Sequence, residues 1–221
     1  MAVTARCVAE SPSVFGIHDF FVFLATGIVL NLTPGQDTFY ILGRSISQGR
    51  SAGIASVMGI SAGALVHTLA AALGLSALIA ASAYAFLAVK LAGAVYLIYL
   101  GARMLLARSS GASLPSDFSS SGFVAVFRQG MLTNVLNPKV ALFFLAFMPQ
   151  FIAADSPNKF LAFVALGLCF VATGTIWCFC LAWFASLLGD RLRGNTTFRD
   201  ILNRTAGALF VLLGIRIAAT R

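Results

Sequence analysis

Two short stretches hold the residues whose types and order suggest chemistry: Asn31-Leu32-Thr33-Pro34-Gly35-Gln36-Asp37 and Asn134-Val135-Leu136-Asn137-Pro138-Lys139. Each opens on Asn and soon reaches Pro, and each follows or interrupts an apolar run. Proline lacks an N–H and crowds the preceding turn, and the residue before it is pushed out of the α region. Thr33 and Asn137 are therefore expected to end one helix, and Pro34 and Pro138 to start the next. Such a break frees carbonyls on one side, which suit a cation, and N–H groups on the other, which suit an anion. Asp37 falls in the first turn after the break, where the helix dipole favours a carboxylate. Lys139 takes the corresponding place in the second stretch, where a cation is disfavoured and needs an anion nearby. The two charges are expected to meet, directly or through a bound ligand. The plainer alternative is a pair of ordinary helix ends whose charges each reach a headgroup layer.

The elements that position these residues follow from composition. The chain has 221 residues, 59% hydrophobic and 10% charged, with mean hydropathy +0.93. A soluble domain carries roughly 25% charged residues, so too few remain here to coat a water-facing surface. Disorder is excluded by the same hydrophobicity. The net charge of +8 would suggest nucleic acid in a soluble chain, but most basic residues sit between apolar runs, as the positive-inside rule requires. Nucleic-acid binding is therefore not expected. A bilayer core of about 30 Å takes about 20 apolar helical residues. Candidate spans are Phe15–Leu32, Gly53–Leu75, Tyr84–Leu106, Phe123–Ile152, Phe160–Leu188 and Thr205–Ala219. The fold class is all-α, a polytopic integral membrane protein with six transmembrane helices, or five if an end segment lies at the interface.

Orientation comes from Lys and Arg in the gaps. The gaps after the first, third and fifth spans hold nine of them, including Arg44, Arg50, Arg103, Arg108 and Arg128, whereas the second and fourth gaps hold only Lys159. These basic gaps are cytoplasmic, so both termini face outward, although Arg6, Arg216 and Arg221 run against this. Residues 109–122, SSGASLPSDFSSSG, read as a flexible cytoplasmic linker. The linker divides a polar N-terminal tail (1–13) and a first three-helix half (14–108) from a second half (123–221), within one transmembrane domain. Three is odd, so the second half enters from the opposite side. That is the arithmetic of two inverted halves, and paired Pro-interrupted segments at matching places in them point to a transport site. Six unrelated spans remain the alternative.

Other signals are weaker. Gly59-Ile60-Ser61-Ala62-Gly63 fits both a nucleophile elbow and a helix-packing G-x-x-x-G. An elbow needs a strand and a sharp turn, whereas this stretch lies in an unbroken apolar run. Ser56, Gly63, His67 and Gly74 fall on one helical stripe, and His67 is an ionisable group inside a span that could handle protons. Lys90 reads as a snorkelling residue. Three of the four cysteines (Cys169, Cys178, Cys180, but not Cys7) lie in one apolar run and read as small helix residues. No metal or nucleotide motif occurs, so no cofactor is expected.

NLTPGQD followed by LGRSISQGRSAGIAS resembles the start of the LysE/RhtB family of amino-acid exporters. GISAGALVHTLAAALGLSAL, KLAGAVYLIYLGARML, FRQGMLTNVLNPKVALFFLAFMPQF and NRTAGALFVLLGIR resemble later blocks in the right order. Gln36 departs from the family's frequent second proline. The resemblance implies a six-helix secondary transporter, not an enzyme, that exports amino acids or close derivatives across a bacterial cytoplasmic membrane by proton antiport. It implies no cofactor, and its partners are a small amino-acid substrate, protons and lipid, with a homo-oligomer compatible. It carries substrate- or ion-binding roles to Asn31, Thr33, Pro34, Gly35, Asp37, Asn134, Asn137, Pro138 and Lys139. On this scheme Lys139 and the N–H groups after Pro34 and Pro138 take the substrate carboxylate. Asp37 and the freed carbonyls take the ammonium, and Asp37 or His67 couples the proton. The second to sixth spans hold no acidic residue between their ends, which favours neutral substrates (threonine, homoserine or branched-chain amino acids) over basic ones. The alternatives are a membrane-embedded hydrolase using Ser61 and His67, and a non-transporting structural or regulatory subunit.

Overall fold

The structure is a computed structural model that describes residues 14–75 and 121–192, together with single helical positions in 84–106 and 208–218. The third and sixth candidate spans, the N-terminal tail, most of the linker and Lys90 lie largely or wholly outside these residues. The described elements are α1 (Phe20–Leu32), α2 (Gln36–Ala70), α3 (Phe123–Val135), α4 (Pro138–Leu142) and α5 (Lys159–Leu192). A π-helical turn, Ala71–Leu75, follows α2. A second π-helical turn, Phe143–Phe147, and a 3-10 turn, Met148–Phe151, follow α4. The described strand pairing is a lone bridge between Ile17 and Ile152, so the chain is mostly helical.

Gln36–Gly74 and Lys159–Ala185 are each long and apolar enough to cross a bilayer. Phe123–Val135 and Pro138–Phe151 would make a third span if the pair, bent by 47°, counts as one. Around them the outward faces are apolar: Phe21, Ile54, Met58, Leu69, Leu132, Leu168, Ile176 and Trp183 are all exposed. In water such a surface would drive aggregation, and in a bilayer it is the surface that lipid covers.

Thr33 ends one helix and a new helix carries Asp37 in its first turn, as the proline break predicts. Hydropathy leaves residues 33–52 as a gap between spans, whereas the new helix runs on through that gap to Gly49, where φ is +78°. Nothing would crowd a Cβ at Gly49, so the backbone conformation alone asks for glycine there. The segment is polar by composition yet helical because one face is buried: Ile41, Gly43, Arg44 and Ser45 are all inaccessible. Arg44 therefore belongs to a packed helix rather than a loop, its guanidinium donating to Gln129 of α3 and lying 5.7 Å from the Tyr40 ring centroid. Pro34 does not start a helix as expected. Gly35 is extended and α2 begins one residue later. Thr33 (ψ 122°) and Asn137 (ψ 108°) are extended, as the residue before proline should be. Pro138 does occupy the first turn of its helix.

Two buried clusters hold the described helices together. The larger is aromatic: Phe23 of α1, Phe143, Phe144, Phe147 and Phe151 after the second break, and Phe163 and Phe170 of α5. Phe143 stacks on Phe170 with ring centroids 4.6 Å apart. The smaller joins Ile41, Val57, Ile60 and Ala182. Helices α2 and α3 cross through glycine. A Cβ on Gly63 would lie 2.7 Å from the Asn134 Cβ, and one on Gly130 3.0 Å from the Ser56 carbonyl oxygen. This is the close approach that small residues permit between membrane helices. Ser56, Gly63 and His67 share the face toward α3, but Gly74, expected on the same stripe, meets nothing within 4 Å. A π-helical turn, which holds more residues per turn than an α-helix, begins at Ala71 and changes the register at Gly74.

Candidate functional site

The two breaks come together. Asp37, in the first turn of α2, accepts hydrogen bonds at Oδ2 from Asn134 Nδ2 (2.9 Å) and Asn137 Nδ2 (3.1 Å). Both asparagines come from the second break. In the opposite direction, the Lys139 ammonium donates to the carbonyls of Leu30 (3.0 Å) and Thr33 (2.8 Å) at the end of α1. Each break thus supplies what the other lacks. A cation caps the negative end of α1, where the dipole favours it, and amide donors hold the carboxylate that follows. Among the described residues no ion pair joins Asp37 to Lys139. Both residues line one cavity, and in place of a direct contact each charge has backbone or amide partners. The Asn137 side chain has a second task, since its Oδ1 accepts from the Lys139 N–H and caps α4.

The asparagines that open the two stretches are used alike. Asn31 Nδ2 donates to the Phe170 carbonyl (3.4 Å) and to Thr173 Oγ1 (3.3 Å) on α5, lying against Gly174, where a Cβ would come within 3.0 Å of it. Asn134 lies against Gly63 of α2. Each asparagine follows a glycine by four residues, Gly27-x-x-x-Asn31 and Gly130-x-x-x-Asn134, a repeated signal that sequence reading passed over. Thr33 is buried, and its hydroxyl bonds back to the Val29 carbonyl at 2.7 Å.

A small cavity of about 40 Å³ opens between the breaks, enough for a few waters and not for a whole amino acid side by side with them. Asn31, Thr33, Gly35, Asp37, Asn134, Asn137 and Lys139 all line it. Pro34 and Pro138 shape the breaks without facing the cavity, and His67 stands outside it as well. The imidazole Nε2–H donates to the Asn134 carbonyl (3.1 Å), and the ring stacks on Phe144. His67 therefore touches the residue that holds Asp37 and not Asp37 itself. Sequence reasoning missed the opposite wall, where Phe170, Val171, Gly174, Thr175 and Cys178 of α5 face Ile60, Ser61 and Ala64 of α2. Helical spacing alone marks Val171, Gly174, Thr175 and Cys178 as one stripe, but not which neighbour that stripe faces.

Two polar atoms at this site are buried without a partner: Asp37 Oδ1 and Asn134 Oδ1. A buried carboxylate oxygen without a donor costs free energy unless something occupies it. Across the cavity, Lys139 spends two of its three ammonium donors on carbonyls. An unpartnered acceptor of negative charge and a positive group with a donor to spare therefore belong to two residues that line one small space. No group of His, Cys, Asp and Glu suited to a metal ion occurs among the described residues.

A hydrolase would need Ser61 and His67 to act together. Ser61 Oγ instead bonds Thr175 Oγ1 at 2.7 Å, and His67 bonds a backbone carbonyl. The family described as LysE type translocator matches residues 28–221. The homoserine/homoserine lactone efflux protein of Salmonella typhimurium is 30% identical over 203 residues, covering 91% of this chain and 97% of that protein. The uncharacterized membrane protein YrhP of Bacillus subtilis is 29% identical over 213 residues, covering 90% of this chain and 98% of the relative. An uncharacterized membrane protein of Vibrio cholerae is also 29% identical, over 205 residues, 93% of this chain and 98% of the relative. No solved structure matches. With a translocator family spanning most of its length and both proline breaks meeting at one cavity, this membrane protein is a transporter rather than an enzyme and belongs to the LysE type translocators.

Proposed function

We propose that the chain exports neutral amino acids or their close derivatives across the bacterial cytoplasmic membrane by proton antiport. One observation carries this reading: Asp37 and Lys139 line the same cavity, and Asp37 Oδ1 is buried without a hydrogen-bond partner. A zwitterion offers the two complementary groups. Its ammonium would take Asp37 Oδ1, and its carboxylate the remaining donor of Lys139. The Salmonella relative, a homoserine/homoserine lactone efflux protein, supports a small substrate that bears an amino group. Asp37 is also the acidic residue that lines the described cavity, so a basic side chain would find no second carboxylate there.

Coupling follows from the same oxygen. A bare carboxylate at membrane depth is costly, so Asp37 crosses with either a substrate ammonium or a proton on it. Substrate and proton then compete for one site, and competition produces exchange. His67 is a second candidate for the proton, acting through Asn134, whose backbone it bonds and whose amide holds Asp37.

The experiment is efflux of labelled amino acids from cells or proteoliposomes carrying the full chain, with and without a proton gradient. Export that persists after the gradient collapses would overturn proton coupling, and absence of export for every neutral amino acid and lactone tested would overturn the substrate class.

A further inference from the structure

The wall facing the charged groups carries a hydroxyl pair. Ser61 Oγ and Thr175 Oγ1 lie 2.7 Å apart, joining α2 to α5, and both residues line the cavity. Around them the same wall is apolar: Ile60, Ala64, Phe170 and Val171. Two hydroxyls bring two hydrogens and four acceptor lone pairs. Their mutual bond uses one of each, so a donor and several acceptors are left. A chain of hydroxyls already polarised by one bond accepts a further partner readily. Charged groups on one side and a hydroxyl pair in an apolar wall on the other define two ends of one ligand.

We propose that Ser61 and Thr175 determine specificity by reading an oxygen function on the substrate side chain, so that the carrier prefers hydroxylated amino acids to their hydrocarbon isosteres. The proposal rests on the amino-acid export proposed above and adds the chemistry of the side chain. A zwitterionic head anchored by Asp37 and Lys139 would direct its side chain away from both breaks, toward α2 and α5. A hydroxyl arriving there inserts into the Ser61–Thr175 bond, donating to one oxygen and accepting from the other. A methyl group in the same place breaks that bond and replaces nothing, leaving two polar atoms against an apolar wall. Discrimination of this kind is strong because it penalises the wrong substrate instead of rewarding the right one.

The test uses the full chain in proteoliposomes and compares threonine with valine, which differ by hydroxyl against methyl. In the unaltered protein threonine should compete with a labelled substrate on the order of tenfold more strongly than valine. In S61A/T175V the ratio should fall toward one, whereas T175S, which keeps the hydroxyl, should retain most of it. A ratio near one in the unaltered protein overturns the proposal, whatever the variants do. So does a ratio that S61A/T175V leaves intact, which would reduce the pair to a clasp between helices. Should S61A/T175V fail to fold, the unaltered protein and T175S still decide. If no amino acid competes at all, the export reading itself falls, a result distinct from a flat threonine-to-valine ratio.

Discussion

Asp37 is held at one oxygen and left unpartnered at the other. That asymmetry separates holding from binding. In Asp37→Asn the side-chain carbonyl can still accept from Asn134 and Asn137, so the fold should survive. The open position loses its charge and becomes a donor facing an ammonium. Efflux should fall on the order of a hundredfold or more, the effect of losing a charge-assisted contact, while gel filtration and thermal unfolding in detergent stay near the unaltered values. Lys139 makes the opposite case. Lys139→Met removes the partner of the Leu30 and Thr33 carbonyls and leaves both uncapped. The cost should be about 1–3 kcal/mol for each orphaned group not rescued by water, read as a lowered unfolding midpoint in detergent. One variant should therefore be silent in stability and the other should not.

At the scale of elements, the crossing of α2 and α3 is set by glycine at contact and tolerates change away from it. Gly63→Ala puts a Cβ 2.7 Å from that of Asn134 and pushes on the residue that holds Asp37. Destabilisation of about 1–3 kcal/mol should accompany reduced efflux. Gly74→Ala, with nothing within 4 Å, should stay within about 0.5 kcal/mol. Sequence predicted that these two glycines share a face, on the 3.6-residue spacing that the π-helical turn Ala71–Leu75 breaks. The breaks themselves were legible, because proline constrains its own φ and its predecessor locally. Asp37 and Lys139 were named on that basis, and Asn31, Asn134 and Asn137 through the family resemblance. Their partners were not legible, because the Lys139 bond to two carbonyls of α1 spans more than a hundred residues. Nor did hydropathy find the helix over residues 36–48, since its polar residues are buried by packing on α3 and not by lipid. Gly49 ends that helix in a left-handed conformation, so Gly49→Ala should cost about 1 kcal/mol despite the open space.

Across the whole molecule, the described helices turn apolar side chains outward and gather polar ones at the breaks. Asn31 lies against Gly174 and Asn134 against Gly63. Each break thus sends its asparagine onto a glycine of another helix. Cys178 gives access to that site without altering it. Its thiol lines the cavity, whereas Cys180, two residues along, is exposed on the outside of α5. A polar methanethiosulfonate should block efflux through Cys178, substrate should slow the block, and C178S should be insensitive. Equal labelling with and without a saturating amino acid would separate the cavity from the transport route. Applying the reagent to one face of the membrane at a time would then show whether the cavity opens to both.

The ammonium tethered at the end of α1 has an electrical consequence. In the proposed cycle Lys139 carries its positive charge on both legs. With Asp37 ionised and a zwitterion bound, the site is neutral; with Asp37 protonated and no substrate, it bears one net positive charge. The loaded leg then moves no charge and the returning leg carries one inward, down an inside-negative potential worth about 2.3 kcal/mol per 100 mV. Such a carrier is a current source, and a potassium diffusion potential imposed with valinomycin should speed or slow export according to its sign, even with no pH difference across the membrane.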